Sequence, residues 1–514
     1  IKFNGGRSTI RKPQHRKRVE ARKAPCFDAY WAGMLLEARS PPCFQVVFDV
    51  QTFESTIGSI KTIGADCRLL LAYYISNVDV IENLRGADGK FSSFSIESPA
   101  KISAMLNLHR CWQTGFPSES ELMEEVKEFS TSQLTKAFSE GDPSLLKPNN
   151  LGHEIKYALA YPRRYNLLRL ESRSIIRQLW PTSTGYKQMC LQLAKHDLAM
   201  LQKIHKQETE ALEKWWEEEG ASKLEFSRPA VVKSHFGVSV AVFEPEFAAF
   251  RMAFVKAGCL VTLVDDLFDA PKFGVDGLSR FTDSFLRWDE SGLDDLPEHK
   301  VVFTTLKNNV VDMAAESSRA QGRNLFPLFK AMWDDGLAAV TTEAKWRSTR
   351  HVPTWDEYIR IGRATIAADP CVWCALFLMG HPITDDILRC IGPNTRFMQQ
   401  AALVARLSND LATFRREASC GEMASAVNCY MRDHPGESEE EAVAAIDRAV
   451  DSACRELEWE LFKSRAVVPE FCARAALNFA RTMAFLYMRA DAFSSACDEE
   501  YEGLSQDYMS GSIA

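Results

Sequence analysis

No run of 18 apolar residues occurs in this 514-residue chain; the best stretch, Ala253–Val264, contains Lys256 and stops at two aspartates, so no membrane span is expected. Positive charge is not in excess either. Lys and Arg total 61 against 69 Asp and Glu, a formal net charge of −8, which argues against nucleic acid or an anionic membrane as the main partner. Alternating valine- and threonine-rich runs are nearly absent, Gln45–Val50 being the one short strand candidate. The 14 cysteines are scattered. Cys371-x-x-Cys374 lacks a second pair at zinc-ligand spacing and reads as two buried thiols, with a reducing compartment as the default. No period of about 20–50 residues recurs, which excludes a regular solenoid. The first residue is Ile rather than Met, so a fragment or processed form is expected. Residues 1–23 carry nine basic side chains and one acidic, with Pro13 and no hydrophobic period, and residues 1–25 are expected to form a disordered basic tail, a possible remnant of a targeting segment.

What the chain has in abundance is helical periodicity. Apolar residues recur at three- and four-residue spacing over Leu122–Phe129, Glu154–Leu159, Met189–Trp216, Phe247–Val264, Glu357–Leu378, Phe397–Glu417 and Ser438–Phe462. The punctuation between them, including Gly141-Asp142-Pro143, Pro271, Pro297, Pro353, Pro382 and Pro393, is that of helix–loop–helix connections. The expected fold class is all-α, in two parts. Pro181-Thr182-Ser183-Thr184-Gly185 is the best boundary, with one part at residues 26–180 and a larger helical domain at 186–514.

Four Asp-Asp pairs lie in the second part and control for one another. Asp334-Asp335, Asp385-Asp386 and Asp294-Asp295 have no acid on the next turn of an uninterrupted helix and read as solvated surface. Asp265-Asp266-Leu267-Phe268-Asp269 closes an apolar helix, and Pro271 should end that helix at about Ala270. Four helical residues turn through about 400° and rise about 6 Å, so Asp265 and Asp269 share a face. Carboxylates stacked at the negative end of a helix dipole are unfavourable without a cation, and oxygen donors alone suit Mg²⁺ better than zinc. At this point a bland acidic helix end explains the motif equally well.

A second row stands on Phe397–Glu417, where Asn409, Thr413 and Glu417 fall at i, i+4 and i+8, with Arg406 one turn earlier on the same side. A polar face with a surface Arg–Glu pair would account for Arg415 and Arg416. It accounts less well for an amide, a hydroxyl and a carboxylate in one line beneath an arginine.

Taken together, Asp265-Asp266-x-x-Asp269 and Asn409-Asp410-x-x-Thr413-x-x-x-Glu417, about 140 residues apart, resemble the paired motifs of plant-type class I terpene synthases. The likeness extends over roughly residues 95–505: Tyr157–Pro162 and Arg169–Arg173 resemble the end of that family's helical β domain, and Glu343–Trp346, Val352–Tyr358 and Ala424–Met431 follow its C-terminal pattern. The resemblance implies a class I helical bundle (α domain, 186–514) preceded by a partial helical β domain (26–180). It implies three Mg²⁺ ions, with Mn²⁺ as a possible replacement: Asp265 and Asp269 would bind two, Asp266 would support them, and Asn409, Thr413 and Glu417 would bind the third. Arg406 would hydrogen-bond the substrate diphosphate, and Arg228 falls where the family keeps a diphosphate-facing arginine, although the usual second one is Ala230 here. Trp346 and Trp373 are aromatic candidates for a cation pocket. Thr365 and Ile366 open the segment Thr365–Pro370 that matches the family's helix break.

The family's second, protonation-driven site needs Asp-x-Asp-Asp, which occurs nowhere here. Aligning Arg68-Leu69-Leu70 puts Ser59-Ile60-Lys61-Thr62 at that motif, without a general acid. Near the C-terminus the family's Asp-Gly-Tyr-Thr reads Asp491-Ala492-Phe493-Ser494. The pattern looks most like kaurene-synthase-like diterpene synthases. That implies a plastid lyase taking copalyl diphosphate, supplied by another enzyme, or geranylgeranyl diphosphate directly, as a monomer or homodimer. Monoterpene or sesquiterpene synthesis, a chain-elongating prenyltransferase and an inactive helical paralogue are the alternatives.

Overall fold

The computed structural model describes residues 91, 98–114, 120–147, 151–181, 184–488, 491–492 and 499–511. All belong to one compact unit, Ile63–Ala514. The expectations for the basic tail, Gln45–Val50, Ser59–Thr62, Arg68–Leu70 and Phe493–Ser494 lie outside the described residues.

Among the described residues every element is an α- or 3₁₀-helix. Five helices precede the Pro181–Gly185 break: α1 (Pro99–Cys111), α2 (Ser120–Ser139), α3 (Pro143–Leu146), α4 (Leu151–Ala160) and α5 (Leu168–Leu179). Helices α1, α2 and α4 pack on one another around a separate core that includes Ile102, Met105, Leu106, Met123, Val126, Leu134 and Ile155. After the break come α6 (Gly185–Glu218), α7 (Val231–Ala241), α8 (Ala248–Asp269), α9 (Val275–Arg287), α10 (Pro297–Gln321) and α11 (Phe326–Thr349). They are followed by α12 (Trp355–Thr365), α13 (Ala368–Leu376), α14 (Asp385–Ile391) and α15 (Arg396–Ser419). The last four are α16 (Ala426–Asp433), α17 (Glu439–Ser464), α18 (Glu470–Leu486) and α19 (Glu499–Ser510).

Local chemistry sets the ends that matter to the site. Helix α8 stops at Asp269 because Ala270, ahead of Pro271, is extended (φ −63°, ψ 118°), the conformation a following proline enforces. Helices α12 and α17 start on capping boxes, Thr354 with Glu357 and Ser438 with Glu441. The run expected as one helix over Glu357–Leu378 is two, parted at Ala367, a non-glycine residue in the left-handed region (φ 53°). Pro370 sits in the first turn of α13 and has no N–H to give the carbonyl of Ile366.

By length and composition Pro245–Asp269 would also cross a membrane. In the fold it contains the central helix of the bundle, with α8 packed between α7, α13, α10 and α11. Its Arg251 is fully buried and holds both carboxylate oxygens of Glu208 at 2.6 and 2.8 Å. Such a helix answers to a protein core, not to lipid.

Two arginines, Arg173 buried and Arg164 nearly so, join the helices before the break to those after it. Arg164 donates to Asp451 Oδ1 at 2.8 Å and to Asp447, and Arg173 Nε donates to Asp507 Oδ2 at 2.8 Å. Asp447 and Asp451 lie on α17, which packs along α15.

Candidate active site

Helix α8 is buried around most of its circumference, and apart from Met252 and Lys256 its accessible residues beyond the first turn fall on one stripe. Phe254, Gly258, Val261 and Thr262 are partly accessible and Asp265 and Asp269 are exposed, while Val255, Ala257, Leu260, Leu263 and Val264 are buried. At about 100° per residue those six share one narrow face, as the four-residue spacing predicts. Glu343, Glu422 and Tyr487, on three other elements, all feel the charge of Asp265, so the motif end of the stripe faces a space between helices, a hollow, rather than the outer surface. The side chains of Asp265 and Asp269 retain 55% and 52% of their accessible surface, whereas Asp266 is turned into the protein at 5%.

Arginines meet all three carboxylates. The Arg228 backbone N–H donates to Asp266 Oδ2 at 2.7 Å, its Nε to Asp266 Oδ1 and its Nη2 to Asp265. Arg347, at the end of α11, donates from Nη1 to Asp269 and from Nη2 to the carbonyl of Phe268.

The second row lies on α15. Thr413 is buried and donates to the carbonyl of Asn409 at 2.9 Å, and Arg406 donates to the side-chain oxygen of Asn409. Asp410, the acid inside the motif, points away from the row and is fully buried. It accepts from Tyr358 Oη at 2.6 Å and from the backbone N–H of Ala426 at 2.7 Å, and it pairs with Arg406 at 2.8 Å. This one carboxylate ties α12, α15 and α16 together behind Arg406 and thereby fixes where that guanidinium stands.

Two residues of α11 connect the rows. Glu343 accepts from Thr365 Oγ1 at 2.9 Å and feels the charges of Arg406 and Asp410 on one side and Asp265 on the other. Arg347, bonded to Asp269, is also 3.9 Å from Glu422 in the turn after α15. The backbone N–H of Glu422 is in turn bonded to the carbonyl of Glu417. The rows therefore face a common space.

That space is short of positive charge. Burial pushes Glu417 up to about 8, with Glu422 and Asp410 adding to the rise and Arg406 opposing it. Burial pushes Glu343 up to about 7 against the pull of Arg406, and Glu422 to about 7 with Asp269 adding. Asp269, open to the hollow yet crowded by the groups around it, reaches about 6 through desolvation and the neighbouring Asp265, although Arg347 pulls it down. Carboxylates that keep protons near neutrality in one hollow are a site that gains from a bound cation.

Among the described residues no three His, Cys, Asp or Glu side chains converge tightly enough to hold a metal ion by themselves. Three arginines, Arg228, Arg347 and Arg406, stand among the acids instead. The donor set nonetheless fits a hard divalent cation: oxygen atoms only, with Asp265 and Asp269 open to the hollow, and with burial working against the bare carboxylate charge of Asp269 and Glu417.

The structure brings Asp265, Asp269, Arg228, Arg406, Asn409, Thr413, Glu417 and Thr365 into this one region. Ile366 caps α12 at the helix break and is half-buried. Trp346 is half-buried at the end of α11, its ring 6.3 Å from that of His351. Trp373 is the exception: it is fully buried against Phe377 within the main hydrophobic core.

Sequence reasoning gave no role to Glu343, Arg347, Tyr358, Glu422 or Tyr487, although Glu343 and Tyr358 fall within the segments Glu343–Trp346 and Val352–Tyr358 that carry the resemblance. Glu343 and Arg347 are four apart on a helix, a pattern that ordinarily marks a surface ion pair. Here each reaches across the hollow to a different helix. Tyr487, at the end of α18, feels Asp265 and Arg228 as well as Arg406 and Asp491.

Residues 217–456 match the family described as terpene synthase family, metal binding domain. The chain is 36% identical over 453 residues to the bifunctional levopimaradiene synthase, chloroplastic, of Ginkgo biloba, an alignment covering 85% of this chain and 51% of that protein. It thus spans about half the length of the curated relatives it matches. Its fold superposes on abietadiene synthase from Abies grandis with a TM-score of 0.76 at 32% identity, covering 85% of this chain and 59% of the other. Isoprene synthase from grey poplar, in complex with three Mg²⁺ ions and dimethylallyl-S-thiolodiphosphate, gives a TM-score of 0.73 at 25% identity, covering 84% and 80%. The two motif-bearing helices, the all-helical architecture and these likenesses agree: residues 217–456 match the terpene synthase metal binding domain, and the chain is similar to terpene synthases over the part of them that it spans.

Proposed function

We propose that this chain is a class I diterpene synthase that ionises a C20 prenyl diphosphate, copalyl or geranylgeranyl diphosphate, and cyclises or rearranges the resulting carbocation. The observation that carries this reading is the pair of oxygen-donor rows on α8 and α15 facing one hollow, with an arginine at each. Asp265 and Asp269 would hold two Mg²⁺ ions and Asn409, Thr413 and Glu417 a third, with Mn²⁺ an acceptable substitute. Bound there, the ions supply Lewis-acid neutralisation of the departing diphosphate charge.

The chain's own groups do the rest. Arg406, fixed from behind by Asp410, and Arg228 give N–H donors to the diphosphate oxygens, so that charge developing on the leaving group meets preorganised donors. Asp266 holds Arg228 in place through two contacts. The hydrocarbon lies along the apolar part of the open stripe, Phe254, Gly258 and Val261, and against Trp346 and Ile366, where water is excluded from the cation. At the helix break the carbonyl of Ile366, without an amide partner at Pro370, offers a negative dipole end to that cation. The part at 26–180 is a partial β domain by this reading, and an upstream copalyl diphosphate synthase supplies the substrate. The chloroplastic names of the relatives support a plastid location.

The test is incubation with Mg²⁺ and a panel of C10, C15 and C20 diphosphates, including copalyl diphosphate isomers, with hydrocarbon analysis. Diterpenes from a C20 substrate are expected, with turnover abolished in Asp265→Ala and Glu417→Ala while their helical circular dichroism is retained. Products from the C10 or C15 substrates alone, or activity that survives either substitution, would overturn the reading.

A further inference from the structure

Arg347 occupies an unusual position for a basic residue at an acidic site. Its guanidinium is bonded at once to the backbone and the side chain of the aspartate motif, through the Phe268 carbonyl and Asp269. It also lies within ion-pair range of Glu422, 3.9 Å away, in the turn that follows the second row. Glu422 has its own link to that row, because its N–H donates to the carbonyl of Glu417 at 2.9 Å. One side chain thus stands between the two helices that carry the oxygen donors, with one acid satisfied and a second in reach. Its side chain is 27% exposed, so it is neither locked in the core nor loose on the surface. A planar fork with five donors can exchange one carboxylate for another without giving up its charge.

We propose that Arg347 is a positioning residue that occupies the place of the cation at Asp269 and passes to Glu422 when a divalent ion takes that carboxylate. In the resting chain its charge holds Asp269 aligned beneath Asp265, where two acids on adjacent turns would otherwise repel. With the ion bound, the guanidinium moves to Glu422 and neutralises an acid that would otherwise oppose the incoming diphosphate. The metal then meets a competitor when it binds alone and an ally when it binds with the anion. Loading of the two becomes mutually dependent through a single side chain. The proposal rests on the reading of Asp265 and Asp269 as metal-binding.

The test uses the full chain, with Mn²⁺ as the probe ion followed by the electron paramagnetic resonance signal of free Mn²⁺, and inorganic diphosphate as the anion followed by calorimetry. Arg347→Gln is expected to bind Mn²⁺ alone about tenfold more tightly and to bind diphosphate in the presence of Mn²⁺ about tenfold more weakly. Adding Glu422→Gln to Arg347→Gln should restore the diphosphate affinity, because the acid left unpaired is then gone. A merely structural role would weaken both affinities together, and that result, or no change in either, overturns the proposal. Should Arg347→Gln fail to fold by circular dichroism, Arg347→Lys keeps the charge without the fork and is expected to show the same opposed shifts at smaller size; their absence overturns the proposal equally. Asp265→Ala separates this proposal from the reading beneath it. If the wild type binds Mn²⁺ no better than Asp265→Ala, the metal site itself is wrong. If only Asp265→Ala loses binding and the Arg347 variants behave as wild type, the positioning role alone falls.

Discussion

A Cβ placed on Gly362 would lie 2.9 Å from Cδ and 3.0 Å from Cγ of Arg406, closer than side-chain carbons tolerate. Glycine at 362 is what lets α12 lie against the arginine that the second row depends on. Gly362→Ala should therefore push the guanidinium off Asn409 and Asp410, with an overpacking cost of about 1–3 kcal/mol. The expected outcome is a diphosphate affinity, measured with Mg²⁺ by calorimetry, reduced about tenfold or more, with the helical signal intact. At this scale the sequence was partly legible. Asp265, Asp269, Asn409, Thr413 and Glu417 stand at helical spacing within single helices, so their shared faces follow from the period alone. Glu343, Arg347, Gly362 and Glu422 act through contacts that span roughly 20 to 80 residues of chain. No local pattern encodes such contacts, and the i,i+4 spacing of Glu343 and Arg347 is the same as that of an ordinary surface ion pair.

At the scale of elements, the break between α12 and α13 is held by Ala367 in a left-handed conformation, which costs an L-residue with a Cβ roughly 1–2 kcal/mol. Ala367→Gly should relieve that cost and stabilise the chain by about 1 kcal/mol in equilibrium denaturation, partly offset by the added freedom of the unfolded chain. A loss of stability instead would mean that the methyl group packs better than the backbone is strained. The break itself was legible from Thr365–Pro370 only through its resemblance to a known pattern. Proline chemistry alone would have tolerated Pro370 in the first turn of a new helix without saying where the old one ended. The strongly amphipathic α9 and the long α10, α11 and α18 were not singled out from the sequence. The boundaries of α8 and α17 were, because a proline and a capping serine mark them. The apolar composition of Pro245–Asp269 shows the converse hazard, since a central core helix and a membrane span satisfy the same hydropathy.

At the scale of the whole molecule, the carboxylates of the hollow set a pH dependence whose sign can be worked out. Glu343 and Glu422, at about 7, and Glu417, at about 8, hold protons in the folded chain that the unfolded chain has already released. Stability contributed in this way falls as pH rises through those values. Buried His109 and His205 work in the opposite sense, being depressed to about 4 and about 3, but they act only below the usual histidine value near 6.5. Between pH 6.5 and 8.5 these raised carboxylates give up the protons that the folded chain still holds. The metal-free chain should therefore lose thermal stability over that interval, and Mg²⁺ with diphosphate should recover most of the loss at pH 8.5, both measurable by scanning calorimetry. A flat profile would show that the acids are hydrated and already ionised. The helices before the Pro181–Gly185 break share in that stability through Arg164, seated on Asp447 and Asp451, and Arg173, seated on Asp507. Those pairs join positions some 280 to 330 residues apart, and the acids they use sit on helices whose other faces belong to the bundle. Anyone building chimeras from this chain inherits a constraint from them: residues 99–180 cannot be exchanged as a free cassette, because the basic groups at 164 and 173 have to travel with matching acids at 447, 451 and 507.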